Sequence, residues 1–529
     1  MKVVLLGIDG LDLNLLKRLV NEGKLPNFKH IIENGASGGI WSPPPPLSPA
    51  IWVSIATGQS RLQHGVFDFI EFVIDKQKYL RPKTIIHTSE ILRGRSVWDH
   101  LSITGYNSLV VNYPFTYPPY KIKGVMISGF PSPSQDIEVY PSSLKNDLKK
   151  IVPRYTTEYI PPDKLQGSSD VKKMIEVAKR NIMNRVKIWG FLANTYKFDF
   201  SSLVITELDR IQHKIFGLEE YLDLLVDFYI FLDKILFVLL NKIRDLNANL
   251  IILSDHGFES LKKFISLPRL LEKLHVRFMS NPFASSVRSK TFQRVTFSTT
   301  KIKFLNILLE KTRKKIWKYV DIINASRLGK AQFLIRNNYC LDSLTATYKD
   351  VFKIKKRLEE QRDEDNGSNI FEEIFTKYEY IQYVLHHFGI YNCLDAEKKH
   401  FYRSVPDLIL VPRPGYELTL DKLKKTFMET NSSKKGVIKH GTHYSMQTLF
   451  GVFLAYGPQV IKQDTNWQLK MNVIDIAPTI LALYGIQPPR VMYGRILNNV
   501  FTISNKLTPL EKEYLKHKIK RLKRWKGRL

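Results

Sequence analysis

The chain reads as an α/β protein: a doubly wound, largely parallel sheet with helices on both faces and an inserted cap region. Three observations predict this. Short apolar runs of strand length alternate with helix-period segments in the first half of the chain and again towards its C-terminus. Acidic residues and histidines fall just after several of those runs, where open α/β sheets bind ligands. From about residue 260 to 405 the alternation gives way to lysine-rich helical runs, as in an insertion.

Each element follows from local chemistry. The apolar run Lys2–Gly7 predicts a first, buried strand ending just before Asp9. Leu11–Asn21 and Pro26–Asn34 have helical periodicity, and Gly35 suits the end of the second. Pro43-Pro44-Pro45-Pro46 forbids helix, and periodicity resumes after Pro49 and runs to Thr57-Gly58. Ser48 therefore stands at a loop-to-helix junction. Ser108–Val111, Ser202–Thr206 and Asn249–Leu253 read as further strands, with a long helix over Leu222–Ile243. Asp407–Val411 and Phe450–Ala455 predict strands and Val473–Leu483 a helix. In the insertion, Ile302–Val320 and Val351–Arg362 look helical and Asp363–Ser368 looks like an exposed turn. The tail, Thr508–Leu529, reads as a basic helix with nine Lys or Arg against two Glu. The expected organisation is a core over 1–258 and 406–505, a cap over 259–405 and a basic helix over 506–529.

Composition limits the function classes. The chain has 529 residues, and 80 Lys+Arg against 50 Asp+Glu give a formal charge of +30. That excess favours anionic partners without choosing among nucleotides, nucleic acid, phospholipid and phosphorylated metabolites. A hydrophobic fraction of 44% supplies a large core and excludes global disorder. With only Cys340 and Cys393, a disulfide framework and cysteine-based zinc sites are ruled out. The N-terminal apolar run is too short for a signal sequence. Leu222–Ile243 carries Asp223, Asp227, Asp233 and Lys234, so it is no membrane span. A cytoplasmic location is the expectation.

The residues that could carry chemistry lie beyond strand ends. Asp9 follows the first strand, Asp209 and His213 the strand ending near Thr206, and Asp255 and His256 the strand Asn249–Leu253. His443 precedes the Phe450 strand. Together they offer hard and borderline ligands in the number two divalent cations need. Each has a plainer reading. Asp9-Gly10 and Asp255-His256-Gly257 could be turns, and the i,i+4 pair Asp209 and His213 could be a surface ion pair. Ser48 could simply cap its helix; beside a cation and a helix N-terminus it becomes a nucleophile candidate.

Taken in order, the motifs resemble the type I phosphodiesterase / nucleotide pyrophosphatase family of the alkaline phosphatase superfamily. The matching segments are Gly7-Ile8-Asp9-Gly10, Leu47-Ser48-Pro49-Ala50-Ile51-Trp52, Ala56-Thr57-Gly58 with His64-Gly65-Val66-Phe67-Asp68, and Asn112 through Pro119. Asp209 with His213, Ser254-Asp255-His256-Gly257, Pro406-Asp407-Leu408, Gly441-Thr442-His443 and Ile474 through Thr479 complete the set. The resemblance implies an alkaline-phosphatase-like fold and hydrolysis of phosphodiester or phosphoanhydride bonds in a phosphate-ester small molecule. It also implies two divalent metal ions, usually Zn2+, with Mn2+ or others as alternatives. By motif, Asp209, His213 and His443 would hold one ion, and Asp9, Asp255 and His256 the other, with Ser48 as ligand and nucleophile forming a covalent phosphoserine. Ser48 stands where the family's nucleotide pyrophosphatases carry Thr, and Asn112 is taken as a substrate contact. Sulfatase chemistry is disfavoured, because Pro49 follows Ser48 directly and no Arg comes after it.

Two other classes fit parts of the pattern. A cofactor-independent phosphoglycerate mutase-like phosphotransferase would share the metals and the serine, and is separated by its products. A nucleic-acid or anionic-membrane binder with a decayed site would use the basic tail, where Tyr514, Leu515, Ile519, Leu522 and Trp525 interleave with cations. The full set of seven ligand positions argues against decay.

Overall fold

The computed structural model describes residues 1–75, 81–132, 136–162, 165–279, 332–343, 348–390, 404–420, 423, 425–430, 439–464 and 466–510. Its centre is a nine-stranded sheet. In chain order the strands are β1 (Lys2–Ile8), β2 (Ala36–Trp41), β3 (Ser108–Tyr113), β4 (Gly124–Ser128) and β5 (Val139–Tyr140), then β6 (Phe200–Ile205), β7 (Ala248–Leu253), β8 (Phe450–Tyr456) and β9 (Leu469–Asn472). Across the sheet they lie in the order β9-β2-β8-β7-β1-β6-β3-β4-β5. The pairs β7-β1, β1-β6, β6-β3, β3-β4 and β2-β9 are parallel; β8 and β5 run against their neighbours. The sheet is thus largely parallel, as the alternation of elements predicts.

Both faces are covered, and β1 shows how. Val3 and Leu5 belong to one apolar cluster, and Val4, Leu6 and Ile8 to the other, the period-two split of a strand buried on both sides. One face packs helices α3 (Ser48–Thr57), α4 (Val97–Ile103) and α8 (Ile476–Leu483). The other packs α1 (Leu13–Asn21), α2 (Pro26–Asn34), α5 (Ser168–Thr195), α6 (Glu207–Ile215) and α7 (Leu222–Asp245). The parallel register sets Gly7 level with Val204 on one side and with Leu253 on the other. The carboxyl ends of β1, β6 and β7 therefore emerge together, and the residues after them converge. Among the described residues no helix is long and apolar enough to cross a membrane; α7 carries its acids within the span.

Two further sheets lie apart from the central one and draw strands from both sides of the boundary expected at 405. One orders Arg277–Met279, Gln332–Asn337, Cys340–Ser343, Leu408–Pro412 and Phe371–Thr376; the other orders Tyr416–Thr419, Lys263–Ser266 and Phe427–Glu429. The strand expected at 407–411 forms, but it bonds to Cys340–Ser343 and Phe371–Thr376 and not to the central sheet, which the chain rejoins only at β8. The helix expected over 351–362 runs Tyr348–Glu359. The turn after it is not wholly exposed: Asp363 is buried, with both carboxylate oxygens 2.9 Å from Lys263 Nζ. The helix expected over 302–320 lies outside the described residues, as does the tail from 511. Thr508–Pro509 begins no helix but pairs with Ile486–Gln487.

Candidate active site

Ser48 owes its position to proline chemistry. The Pro-rich loop cannot be helical, and α3 begins at Ser48 with Pro49 in its first turn, where a missing N–H costs nothing. Arg61, itself buried, donates to the carbonyls of Pro44 at 3.2 Å and Pro45 at 3.1 Å, which fixes the loop. Every residue of α3 from Pro49 to Thr57 is buried, and Gly58 ends the helix in the left-handed conformation. The helix lies close against β1: a Cβ on Gly7 would sit 2.5 Å from Trp52 Cη2. The Ser48 hydroxyl ends up 3.0 Å from His256 Nε2, and this helix start offers the electropositive end of its dipole to an anion.

The expected ligand residues converge. His256 Nε2 lies 3.3 Å from Asp255 Oδ2 and 3.6 Å from Asp9 Oδ1. Asp209 Oδ1 lies 3.3 Å from His213 Nε2 and 3.8 Å from His443 Nε2. Two sets of three donor atoms sit within 4.8 Å of one another, Asp9/Asp255/His256 and Asp209/His256/His443. His213 borders the second set through Asp209, one turn before it on α6. Each imidazole is held by its other nitrogen on a backbone carbonyl. Nδ1 of His213 faces Gly441 O at 2.9 Å, Nδ1 of His256 faces Gly257 O at 2.9 Å, and Nδ1 of His443 faces Pro46 O at 3.1 Å. A carbonyl only accepts, so each Nδ1 carries a proton, and each Nε2 faces the carboxylates.

That arrangement places acceptors against acceptors. Asp9 Oδ1, Asp209 Oδ1 and Asp255 Oδ2 are all buried and have no hydrogen-bond donor. Burial, then the charges of Asp255 and Asp209, pushes the Asp9 carboxyl well above its usual range. Burial, then Asp209, pushes Asp255 up to about 7. Burial holds His213 and His443 well below their usual range, so both rings stay neutral. Three donorless carboxylate oxygens gathered with imidazole nitrogens, of which those of His213 and His443 belong to neutral rings, fit divalent cations, and the mixed oxygen and nitrogen donor set suits zinc.

The surrounding contacts tie the site segments together. Gly10 N–H donates to Asp255 Oδ1 at 3.2 Å, and Gln212 Nε2 on α6 donates to Gly10 O at 2.6 Å. The Asp9 turn is thereby fastened to two of the other segments that carry expected ligands, the Asp255 turn and α6. At the start of α6, Glu207 forms a fully buried ion pair with Arg185 of α5. Asn112 is placed differently from its expected role. Its side chain is wholly buried at the end of β3, and Nδ2 donates to Val204 O at 2.9 Å. It binds strand to strand and offers no surface to a substrate. Sequence reasoning missed Arg210 and Tyr444, each next to a ligand residue; only that adjacency could have singled them out.

Comparison with known proteins gives the family and the fold. The family model for type I phosphodiesterase / nucleotide pyrophosphatase matches residues 3–445. A search of curated proteins gives no match. Among solved structures, murine ectonucleotide pyrophosphatase / phosphodiesterase 5 superposes with a TM-score of 0.50 at 15% identity, covering 92% of this chain and 96% of that one. Phosphonoacetate hydrolase from Sinorhizobium meliloti gives 0.54 at 13% identity, covering 90% and 94%. A substituted form of the alkaline phosphatase PafA gives 0.56 at 15% identity, covering 94% and 98%. These likenesses carry the fold, and the family match carries the reaction class. The chain belongs to the type I phosphodiesterase / nucleotide pyrophosphatase family and is a phosphoric ester hydrolase.

Proposed function

We propose that the protein hydrolyses phosphodiester or phosphoanhydride bonds through a covalent phosphoserine at Ser48, with two divalent cations in attendance. The observation that carries this reading is the Ser48 hydroxyl at the head of a buried helix, 3.0 Å from His256 Nε2 and in the same cluster as the donorless oxygens Asp9 Oδ1, Asp209 Oδ1 and Asp255 Oδ2. Asp209, His213 and His443 would hold one cation; Asp9, Asp255, His256 and Ser48 would hold the other, and zinc suits these donors. Bound there, the cations would offset the substrate's negative charge and favour the ionised form of the serine hydroxyl.

The chain's own residues supply the rest. The Gly257, Pro46 and Gly441 carbonyls fix the three imidazoles with Nε2 facing inward. The start of α3 directs positive dipole at the phosphoryl oxygens. Arg61 holds the loop ahead of Ser48 so that Oγ keeps its line of approach. Ser48 Oγ loses its proton and bonds to phosphorus as the bond to the leaving oxygen breaks and that oxygen departs; water then cleaves the Ser48–phosphoryl bond, releasing the phosphoryl group with the arm it still carries and returning a proton to Ser48. Ser48→Ala should abolish turnover of bis(p-nitrophenyl) phosphate while bound metal stays constant. Acid-quenched wild-type protein should carry the phosphoryl group on Ser48, still esterified to one p-nitrophenyl arm when the diester is the substrate and as plain phosphoserine when p-nitrophenyl phosphate is. Full activity in Ser48→Ala would overturn the assignment. Release of inorganic phosphate or a phosphomonoester separates hydrolysis from transfer to a second alcohol.

A further inference from the structure

Arg210 directly follows Asp209 on α6, yet among the described residues it makes no ion pair with any carboxylate of the site. Its Nη2 donates to Glu158 Oε1 at 3.1 Å, and its guanidinium lies over the Phe130 ring, 5.3 Å from the centroid. Phe130 is braced edge-on by Phe69 at 4.5 Å. Arg210's positive charge nevertheless favours the ionised form of Asp9 and is itself favoured by Asp209 and Asp9, so it stands within electrostatic reach of those carboxylates. About a third of the side chain is open to solvent, at 30%, while its partner Glu158 is 12% exposed. A guanidinium has five N–H donors; one is bonded, and the others meet no acceptor among the described residues. A cation held by a carboxylate on one side and an aromatic ring on another, with its remaining donors free, is preorganised for an anion.

We infer that Arg210 recognises a second negative charge on the substrate, beyond the single charge of a phosphodiester. This rests on the reading of Ser48 as nucleophile. Two sources share that chemistry: the ester-free oxygen of a phosphomonoester, and an anionic phosphate in the leaving group of a phosphoanhydride. A diester with uncharged arms has neither. Arg210 would therefore weight the enzyme towards doubly charged substrates and would bind inorganic phosphate as product.

The test compares kcat/KM of wild type, Arg210→Gln and Arg210→Lys on bis(p-nitrophenyl) phosphate, p-nitrophenyl phosphate and ADP. Calorimetric titration with inorganic phosphate is run beside it. Losing one charge-assisted bond should lower kcat/KM of Arg210→Gln about 10- to 100-fold on one or both doubly charged substrates. The diester should change less than about 3-fold, and phosphate should bind correspondingly more weakly. Loss confined to p-nitrophenyl phosphate identifies the ester-free oxygen; loss confined to ADP identifies the leaving phosphate. Arg210→Lys should recover part of the loss, since the charge remains and the fork does not. It also serves as the readable variant if Arg210→Gln fails to fold. Equal losses on all three substrates, or no loss on any, with unchanged phosphate binding, would make Arg210 a strap between Glu158 and α6 and overturn the inference. Full activity of Ser48→Ala is instead a failure of the parent reading, and the phosphate titration still decides Arg210.

Discussion

The imidazoles of His256 and His443 stack face to face, their centroids 3.6 Å apart and their planes 6° from parallel. They are distant in sequence but come from neighbouring antiparallel strands: His256 follows β7, and His443 lies in the loop before β8. Tilted ring contacts continue outward, from His443 to Tyr444 at 4.2 Å and on to Tyr339 at 4.5 Å. Tyr339 belongs to the hairpin between Gln332–Asn337 and Cys340–Ser343 in the insertion. One column of rings thus joins the inserted sheets to the ligand cluster. His443 also points its Nδ1 at Pro46 O, two residues before Ser48, so the same ring ties the ligand set to the nucleophile loop.

His256, which the proposed arrangement gives to one cation, also lies within reach of the Asp209 and His443 donors, so substitutions at the site should not be equivalent. Asp255→Asn and His443→Ala should each lower bound metal by about one equivalent, since each removes a donor from one group. His256→Ala should lower it further. Elemental analysis of purified protein decides this, and unchanged stoichiometry in Asp255→Asn and His443→Ala would contradict the two-ion arrangement.

Gly7 and Trp52 couple the central strand to the nucleophile helix. In Gly7→Ala the new methyl would meet Trp52 Cη2 at 2.5 Å, Cζ3 at 2.9 Å and Val204 Cγ2 at 3.1 Å. Overpacking of this kind costs about 1–3 kcal/mol, and the helix that moves carries Ser48. Gly7→Ala should lower both the melting temperature and kcat. Trp52→Phe removes the atoms in conflict, so the double variant should recover part of each loss. Strict additivity of the two substitutions would show that this contact is not what limits the position.

The ion pair between Arg185 and Glu207 anchors the start of α6, which carries Asp209 and His213. Both side chains are fully buried, and Arg185 Nη2 also donates to Thr156 O at 3.1 Å and Thr157 O at 3.0 Å. Removing one partner leaves a buried, unpaired charge, so Arg185→Ala should cost about 3–5 kcal/mol in denaturant unfolding. The double variant Arg185→Met, Glu207→Leu should regain most of that, because two apolar side chains leave no charge behind. A double variant as unstable as Arg185→Ala would mean that the lost bonds to Thr156 and Thr157 dominate.

Much of this site is legible in the sequence because its chemistry sits on strand ends. Lys2–Ile8 and Ala248–Leu253 are apolar runs closed by acids, and a parallel register brings Asp9, Asp255 and His256 to one edge of the sheet. The same rule cannot place Leu408–Pro412. An apolar run of that length satisfies a central strand and an inserted sheet equally, and only its long-range bonds to Cys340–Ser343 and Phe371–Thr376 decide. Asp363 fails as an exposed residue for a similar reason: its partner Lys263 is far away in sequence. Asn112 suits a substrate contact by its place near a strand end, but its positive φ of 56° and its bond to Val204 O turn it inward. Arg210 and Tyr444 act through ring and charge contacts that leave no periodic trace.

His100 offers a pH test of the core, apart from the ligand cluster. It lies on α4, is 9% exposed, and burial lowers its pKa to about 4, an effect only partly offset by a bond to the Arg95 backbone. An unfolded histidine titrates near about 6.5. Between those values the unfolded chain binds the proton and the folded chain does not. The neutral ring's contribution is therefore intact above about 6.5 and is lost as pH falls through about 4. A shift of that size corresponds to an upper bound of about 3 kcal/mol. Wild type should lose more unfolding free energy between pH 7 and pH 4.5 than His100→Gln, whose side chain does not titrate. Chemical denaturation of both proteins at the two pH values measures the difference. Parallel loss in the two would place the acid sensitivity at other buried groups, such as His64, whose pKa burial also lowers.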